Sequence, residues 1–531
     1  MTTQLSQIIQ SYVIRLLIGS NRHEDKDTYQ GGDYWYILFN GEKRRDIEHP
    51  ITTEMIDIAL VSKWWLQVVR QRSSMYFEGH LDSVILKSIH SNRHSLFSSD
   101  SIQTLKWMLN EKEHSDLSSF NYANQLMKLL PLLQTINLQC KGNVNDQVFK
   151  ALKSIQKQHP HIVINIEIDI NGKRFEYGYS QWPTSLEGFT PNTVSLGTRN
   201  FHPEVCFSNG STYNDDFIQM IKDLQPQSLN LYTDSGKEDA ITHIEYSQLF
   251  KQLTSIKHLN IYYDFVECTE LKELVAGHPL ESLKVNILSS ILVSDFEIEE
   301  NSQSTSSYSY LEFHYQDSLD DWIEFCNNIS NCTTLKRLHL CDYDGAEKLP
   351  IIQEKLTTFQ SAFESIWSSG SEIPNIDYLA LNDLQCLMST NMWDTLGHVN
   401  CQNITKLLLT NGTVTNEMVL SLSHLIATTS TITVLSINGN ELNLNNELVQ
   451  AFKQNKTITV LDIGGNFSLG NDALTLFSAL LYSDTVQYLF LDNGFQYVKH
   501  PYFTQSKSLK ERFFGYQDRL YFNNNLFTKN Q

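Results

Sequence analysis

The 531-residue chain contains no run of eighteen apolar residues, so no transmembrane helix and no membrane partner are expected. Its opening, MTTQLSQIIQSYVIRLL, has neither a basic leader nor a clean apolar core, so no signal peptide is expected. The eight cysteines include no C-x-x-C pair. Cys140, Cys206, Cys268 and Cys341 lie in or beside apolar segments and read as small buried thiols in a reducing compartment. The N-x-S/T triplets, including those at Asn403 and Asn455, then carry no meaning as glycosylation sites. Phosphate-binding loops, G-x-G-x-x-G after a strand, H-E-x-x-H and G-x-S-x-G are all missing, and no cysteines stand at zinc spacing. No catalytic residues, cofactor or metal are expected, and the protein is not expected to be an enzyme. Positive charge is also scarce. Forty Lys and Arg face sixty Asp and Glu, a net −20, which argues against a nucleic-acid partner. The expected location is the cytoplasm or nucleus.

What the chain does contain is a period. ITKLLLTNG from Ile404, ITVLSINGN from Ile432, ITVLDIGGN from Ile458 and VQYLFLDNG from Val486 start 28, 26 and 28 residues apart (432−404, 458−432, 486−458). Each has an apolar residue at positions one, four and six, as in Ile404, Leu407 and Leu409, and Asn440 and Asn466 stand at position nine. Positions four and six alternate, so both point to one side of a short strand. The Asn at the bend can bond backbone groups that the turn leaves unpaired. Apolar residues at three- and four-residue spacing follow each strand, as in Val419, Leu422, Leu425 and Ile426, and read as helices. A single strand and helix cannot bury its own apolar face, so such units stack.

The pattern LxxLxLxxN resembles the long, ribonuclease-inhibitor-like class of leucine-rich repeat. The resemblance implies an α/β fold, a curved solenoid with parallel strands on the concave side and helices on the convex side. Less regular repeats extend it backwards. Apolar strand cores fall at 102–105, 133–138, 163–168, 194–196, 229–231, 256–261, 280–285, 311–313, 335–340 and 376–381. Helical patterns lie between them at 144–158, 215–224, 243–253, 319–329 and 351–367. Residues 171–212 are the least repeat-like, and an arrangement in two lobes is the alternative to one continuous solenoid.

Residues 4–18 carry Leu5, Ile8, Ile9, Tyr12, Val13, Leu16 and Leu17 at helical spacing. A charged loop, 22–50, follows, and then a second helix over about 53–70 with Leu60-Val61-Ser62-Lys63-Trp64-Trp65. This pair of helices resembles an F-box, whose opening helix has the form Lxx(I/L)xxx(I/V)xxxL and whose later helix carries a motif like LVSKxW; Trp65 stands at the Trp position. Ser6 replaces the usual Pro, and loop 22–50 is inserted where the family has a short connection. The resemblance covers about the first 75 residues. It implies docking of a cullin–RING ubiquitin-ligase adaptor through Leu5, Ile8, Ile9, Leu60, Val61 and Trp65. The alternative is that both helices only cap the solenoid.

The expected organisation is therefore an F-box-like helical domain at 1–78, an irregular solenoid at 79–500 with its clearest repeats at 404–492, and a C-terminal cap at 501–531. Lys507 to Gln517 reads as a helix within that cap. Residues 295–308, acidic and then Ser-rich, read as a mobile loop. They lie in a region, Asp264 to Glu324, that holds fourteen Asp and Glu against Lys272 and Lys284; a solvated edge explains it better than a dock for a basic partner. His159-Pro160-His161 reads as a surface turn, and Asp320-Asp321 as acids favoured at a helix start.

Positions three, five and seven of each clear repeat face away from the core. They supply the candidate protein-binding face: Lys406, Leu408, Thr410, Ser436, Asn438, Asp462, Tyr488, Phe490 and Asp492, with Leu408, Tyr488 and Phe490 as anchors unless the cap covers them. The expected function is substrate recognition for a cullin–RING ubiquitin ligase, with an unidentified target protein on the concave face. The alternative is a leucine-rich-repeat scaffold with no ligase link.

Overall fold

The computed structural model describes residues 65–66, 76–79, 102–109, 122–141, 146–169, 191–198, 222–233, 246–287, 292, 318–342, 352–368, 374–397, 403–442, 445–464, 466, 485–486, 488–492, 513–516 and 519–523. The chain divides into two compact units, Met1–Ile256 and Lys257–Gln531. The fold is mixed α/β.

In the first unit the strands β1 (Tyr76–Gly79), β2 (Thr104–Leu109), β3 (Thr135–Lys141), β4 (Val163–Asp169), β5 (Thr193–Thr198) and β6 (Ser228–Thr233) pair in parallel in chain order. β1 crosses the boundary expected at residue 78, so strand pairing begins inside the segment assigned to the helical domain. Residues 171–212, with the weakest repeat pattern, still contribute β5 between β4 and β6. Helices α1 (Tyr122–Leu129), α2 (Asp146–Gln158) and α3 (Tyr246–Gln252) stand between or after these strands. The alternation of the strands decides what is buried. Leu105 and Trp107 of β2, Ile136 and Leu138 of β3, and Ile164 and Ile166 of β4 are almost fully enclosed. Between them Asn165 Nδ2 donates to Asn137 Oδ1 on the neighbouring strand at 2.8 Å.

In the second unit eight strands form one parallel sheet: β7 (His258–Phe265), β8 (Ser282–Ile287), β9 (Arg337–Asp342), β10 (Tyr378–Asn382), β11 (Lys406–Thr410), β12 (Val434–Ser436), β13 (Val460–Asp462) and β14 (Tyr488–Asp492). Position four aligns across the sheet as Leu259, Leu283, Leu338, Leu379, Leu407, Leu435 and Leu461. All seven are buried. Burying a leucine side chain contributes about 2 kcal/mol, so this column is a main source of stability. Register is held at position two. The carbonyl of Thr405 accepts from Thr433 N at 2.8 Å and Val434 N at 3.1 Å, and that of Thr433 accepts from Thr459 N and Val460 N in the same way. The hydroxyls of Thr433 and Thr459 donate to the same carbonyls at 3.2 and 3.1 Å.

Helices α4 (Cys268–Gly277), α5 (Leu319–Asn331), α6 (Gln353–Ser368), α7 (Thr390–Gly397), α8 (Asn416–Thr428) and α9 (Asn446–Gln454) connect these strands. The helical patterns read at 144–158, 243–253, 319–329 and 351–367 correspond to α2, α3, α5 and α6, displaced by a few residues at their ends. Asp320 and Asp321 lie in the first turn of α5, whose N-cap Ser318 accepts from Asp321 N at 3.1 Å. Thr415 and Asn445 cap α8 and α9 in the same manner. Adjacent helices pack through aromatic rings: Trp322 of α5 stacks on Phe359 of α6 at 4.2 Å and donates its Nε1–H to the Phe359 carbonyl at 3.0 Å. Lys272 of α4 reaches Asp321 and Glu324 of α5 at 2.6 and 2.7 Å.

The helix expected at Lys507 to Gln517 is not formed over its last turn. Phe513–Tyr516 is strand β15, which pairs antiparallel with β16 (Arg519–Asn523), and β16 pairs antiparallel with β14. Aromatic residues favour strands, and the last parallel strand presents unpaired backbone groups that a further strand satisfies. Among the described residues no helix is long and apolar enough to cross a membrane.

Candidate functional site

The backbone places the expected binding residues on one face of the eight-stranded sheet, opposite the leucine column. Register aligns Lys406 with Val434, Val460 and Tyr488, and Leu408 with Ser436, Asp462 and Phe490. Four of its expected exposed positions are enclosed. Leu408 and Thr410 are each 3% exposed, Ser436 0% and Asp462 1%. Lys406 and Asn438 are half-buried. Tyr488, Phe490 and Asp492 are placed by backbone and register in β14.

The buried polar members bond to one another. Asp462 accepts from Ser436 Oγ at 3.0 Å, from Asn438 Nδ2 at 3.2 Å and from the backbone N–H of Gly464 at 3.1 Å. The Thr410 hydroxyl donates to Asn382 Oδ1 at 2.6 Å, which also accepts from Asn411 Nδ2 at 3.2 Å. Leu408 is therefore not an exposed anchor, and Ser436, Asp462 and Thr410 hold neighbouring units together. The reason is local. A buried polar group that leaves water must find a partner, and side chains at the same position of adjacent parallel strands are close enough to supply one.

The same face continues over β8, β9 and β10, ahead of the four clear repeats. Lys284 of β8 registers with His339 of β9, and Arg337 of β9 with Tyr378 of β10. All four side chains are half-buried. The His339 and Tyr378 rings lie 6.4 Å apart. Burial, then the Lys284 charge, holds the His339 pKa well below its usual value, so this imidazole is neutral at pH 7. Burial likewise lowers Lys284 and raises the Tyr378 phenol. Two residues along, burial pushes the Cys341 thiol up to about 11, which favours its protonated form at neutral pH. The signal for this half was present in the sequence. LxxLxL recurs from Leu280, Leu335 and Ile376 and assigns the same positions to Lys284, Arg337, His339 and Tyr378.

Of the adaptor-docking set, Trp65 is helical and half-buried; Leu5, Ile8, Ile9, Leu60 and Val61 lie outside the described residues, as do the loops 22–50 and 295–308. Asn455 is 4% exposed, and its Nδ2 donates to the Ile426 carbonyl at 2.7 Å while its Oδ1 accepts from Thr457 N and Ile458 N, so it is a structural residue. The rings of His159 and His161 stand edge to face at 6.1 Å. Among the described residues no group of three or more His, Cys, Asp or Glu is placed to hold a metal ion. Neither a scan against protein-family models nor a search of curated proteins returns a match.

Proposed function

We propose that this protein is a non-enzymatic interaction module, a leucine-rich-repeat solenoid that recognises a target protein for a cullin–RING ubiquitin ligase. The observation that carries the reading is the recurring unit. LxxLxL strands stack in register with helices between them, and Asn440 and Asn466 bond backbone groups at the bends. Stacked units of this kind offer a long strand-lined face, which suits recognition of another protein. The ligase link rests on the F-box-like helices ahead of the repeats. Such an adaptor acts by holding its target near the ligase, an effective-concentration mechanism that needs no active site.

The test is capture of the ligase's small adaptor by the full-length protein and by a version lacking residues 1–72, a cut that spares β1. Capture by the full-length protein and its loss on truncation, with unchanged circular dichroism of the remainder, supports the ligase reading. Failure of the full-length protein to capture the adaptor rejects it. Ser6 and the insertion at 22–50 favour the second reading, a leucine-rich-repeat scaffold whose N-terminal helices are a cap.

A further inference from the structure

Two bends of the second unit carry Asn-Gly: Asn411-Gly412 after β11 and Asn438-Gly439 after β12. Packing requires both glycines. A Cβ on Gly412 would lie 2.5 Å from the Met388 sulfur and 3.1 Å from Asn440 Oδ1. Gly439 stands at φ 70°, with Asn411 Oδ1 2.5 Å from where a Cβ would be. Asn411 takes φ 57°, a left-handed conformation that Asn tolerates better than most residues. The fold thus selects, at both bends, the dipeptide most open to succinimide formation, because glycine leaves its backbone nitrogen unshielded by a side chain. At the first bend the Gly412 nitrogen would lose its proton and attack Asn411 Cγ. The N–Cγ bond forms, the Cγ–Nδ2 bond breaks, and ammonia leaves carrying that proton. Water then opens the cyclic imide at either carbonyl, giving aspartate or isoaspartate.

We infer that Asn411 is a latent site of deamidation and isoaspartate formation, and that Asn440 of the next unit guards it by holding the Gly412 nitrogen. Gly412 is buried, and its N–H donates to Asn440 Oδ1 at 2.9 Å. The Asn440 carbonyl grips the same bend again, accepting from Val414 N at 2.9 Å. Asn411 is exposed; its N–H donates to the Asn438 carbonyl at 2.9 Å and its Nδ2 to Asn382 Oδ1 at 3.2 Å. A base reaches the Gly412 proton only when this bend opens, so modification waits on local opening. The second bend is held without an Asn side chain on its nitrogen: Gly439 N donates to the Gly464 carbonyl at 2.9 Å, and Asn438 Nδ2 donates to Asp462. Asn440 Oδ1 therefore guards one of the two nitrogens. Modification of Asn411 would remove the Nδ2 donor to Asn382 and add a carboxylate, and isoaspartate would also lengthen the backbone, where neighbouring units meet. The inference is independent of which partner the protein recognises.

The test incubates the full-length protein in mildly alkaline buffer, native and fully denatured, and follows aspartate and isoaspartate at Asn411 and Asn438 by peptide mapping. Both sites are expected to react at similar rates in the denatured chain, since each precedes glycine, and Asn411 at least about tenfold more slowly in the native protein. Asn440→Ala is expected to speed Asn411 by about tenfold and to leave Asn438 nearly unchanged. Leu435→Ala, which weakens the same unit through its core and spares the bend, is expected to keep the ratio of the two sites as it is in the unaltered protein. A measurement without variants runs beside these. In the unaltered protein, denaturant below the unfolding transition should raise Asn411 modification and Gly412 amide exchange by the same factor, because both begin with loss of the Gly412 proton. Native modification of Asn411 at the denatured rate, or modification that does not follow the Gly412 amide, overturns the inference. So does equal acceleration of both sites in Asn440→Ala, or a Leu435→Ala ratio that matches that of Asn440→Ala.

Discussion

Asn466 holds the backbone of Asn440: its Oδ1 accepts from Asn440 N and from Leu442 N, both at 3.0 Å, while its Nδ2 donates to the carbonyls of Ile437 and Ile463 at 2.9 Å. Asn440 repeats the arrangement one unit earlier, accepting from Gly412 N at 2.9 Å and donating to the Leu409 carbonyl. Both side chains are fully buried. Asn466→Ala leaves two buried N–H groups unpaired, each costing about 1–3 kcal/mol. Native-state hydrogen exchange at Asn440 and Leu442 is expected to speed up by roughly a hundredfold, the equivalent of about 3 kcal/mol. Unchanged exchange at both amides contradicts the ladder.

The burial of Leu408 makes a second prediction. Leu408→Ala is expected to cost about 2–4 kcal/mol, measured as a lower urea midpoint for the unit that contains it. An exposed anchor shortened to alanine would change stability by no more than about 0.5 kcal/mol. The two values are far enough apart for a single denaturation series to separate them.

The Lys272–Asp321 contact makes the acid limb of stability predictable. Burial raises the Asp321 pKa, but hydrogen bonds from Lys272, Ser318 and Thr269 outweigh it and the net direction is down. A carboxylate lowered in the folded state contributes fully above its unfolded value near 4, and that contribution disappears as pH falls through the folded value. Stability plotted against pH should therefore be flatter below about pH 4 in Asp321→Asn than in the unaltered protein. Lys272→Met should flatten the same limb, because it removes the partner.

Thiol reactivity reports the packing of the sheet and its helices. Burial raises the pKa of Cys326 well above its usual value and that of Cys341 to about 11. Cys268 and Cys386 are buried as well, whereas Cys332 is half-buried. Alkylation of the native protein near pH 8, followed by mass spectrometry, should modify Cys332 first among these five. Early modification of Cys341 would mean that β9 opens more readily than its buried position implies.

Much of the strand and helix order was legible from residue type and spacing. LxxLxL marks its own buried face, because alternation in a strand leaves positions four and six no other side, and the leucines from Leu259 to Leu461 occupy it. Asn440 and Asn466 could be assigned to the bends for the same reason, as Asn bonds backbone groups that turns leave free. The sequence read less well where two outcomes share one pattern. Leu509, Phe513 and Phe514 fit a helix, yet Phe513–Tyr516 forms a strand, because it pairs with the neighbouring β16, which is itself paired with β14, a strand outside any local window.

The sequence by itself determined which side of each strand is apolar and where the units begin, since both follow from covalent alternation and period. Only the tertiary structure decided the fate of the opposite side. The position that gives Leu408, Ser436 and Asp462 to a face cannot say whether water reaches that face. Burial is a property of everything packed around a residue, and the hydrogen bonds that enclose Asp462 come from residues more than twenty positions away in Ser436 and Asn438 and from Gly464 close by. The alignment of Lys284 with His339, and of Arg337 with Tyr378 and Lys406, likewise needs the strand register, which joins residues that the sequence holds far apart.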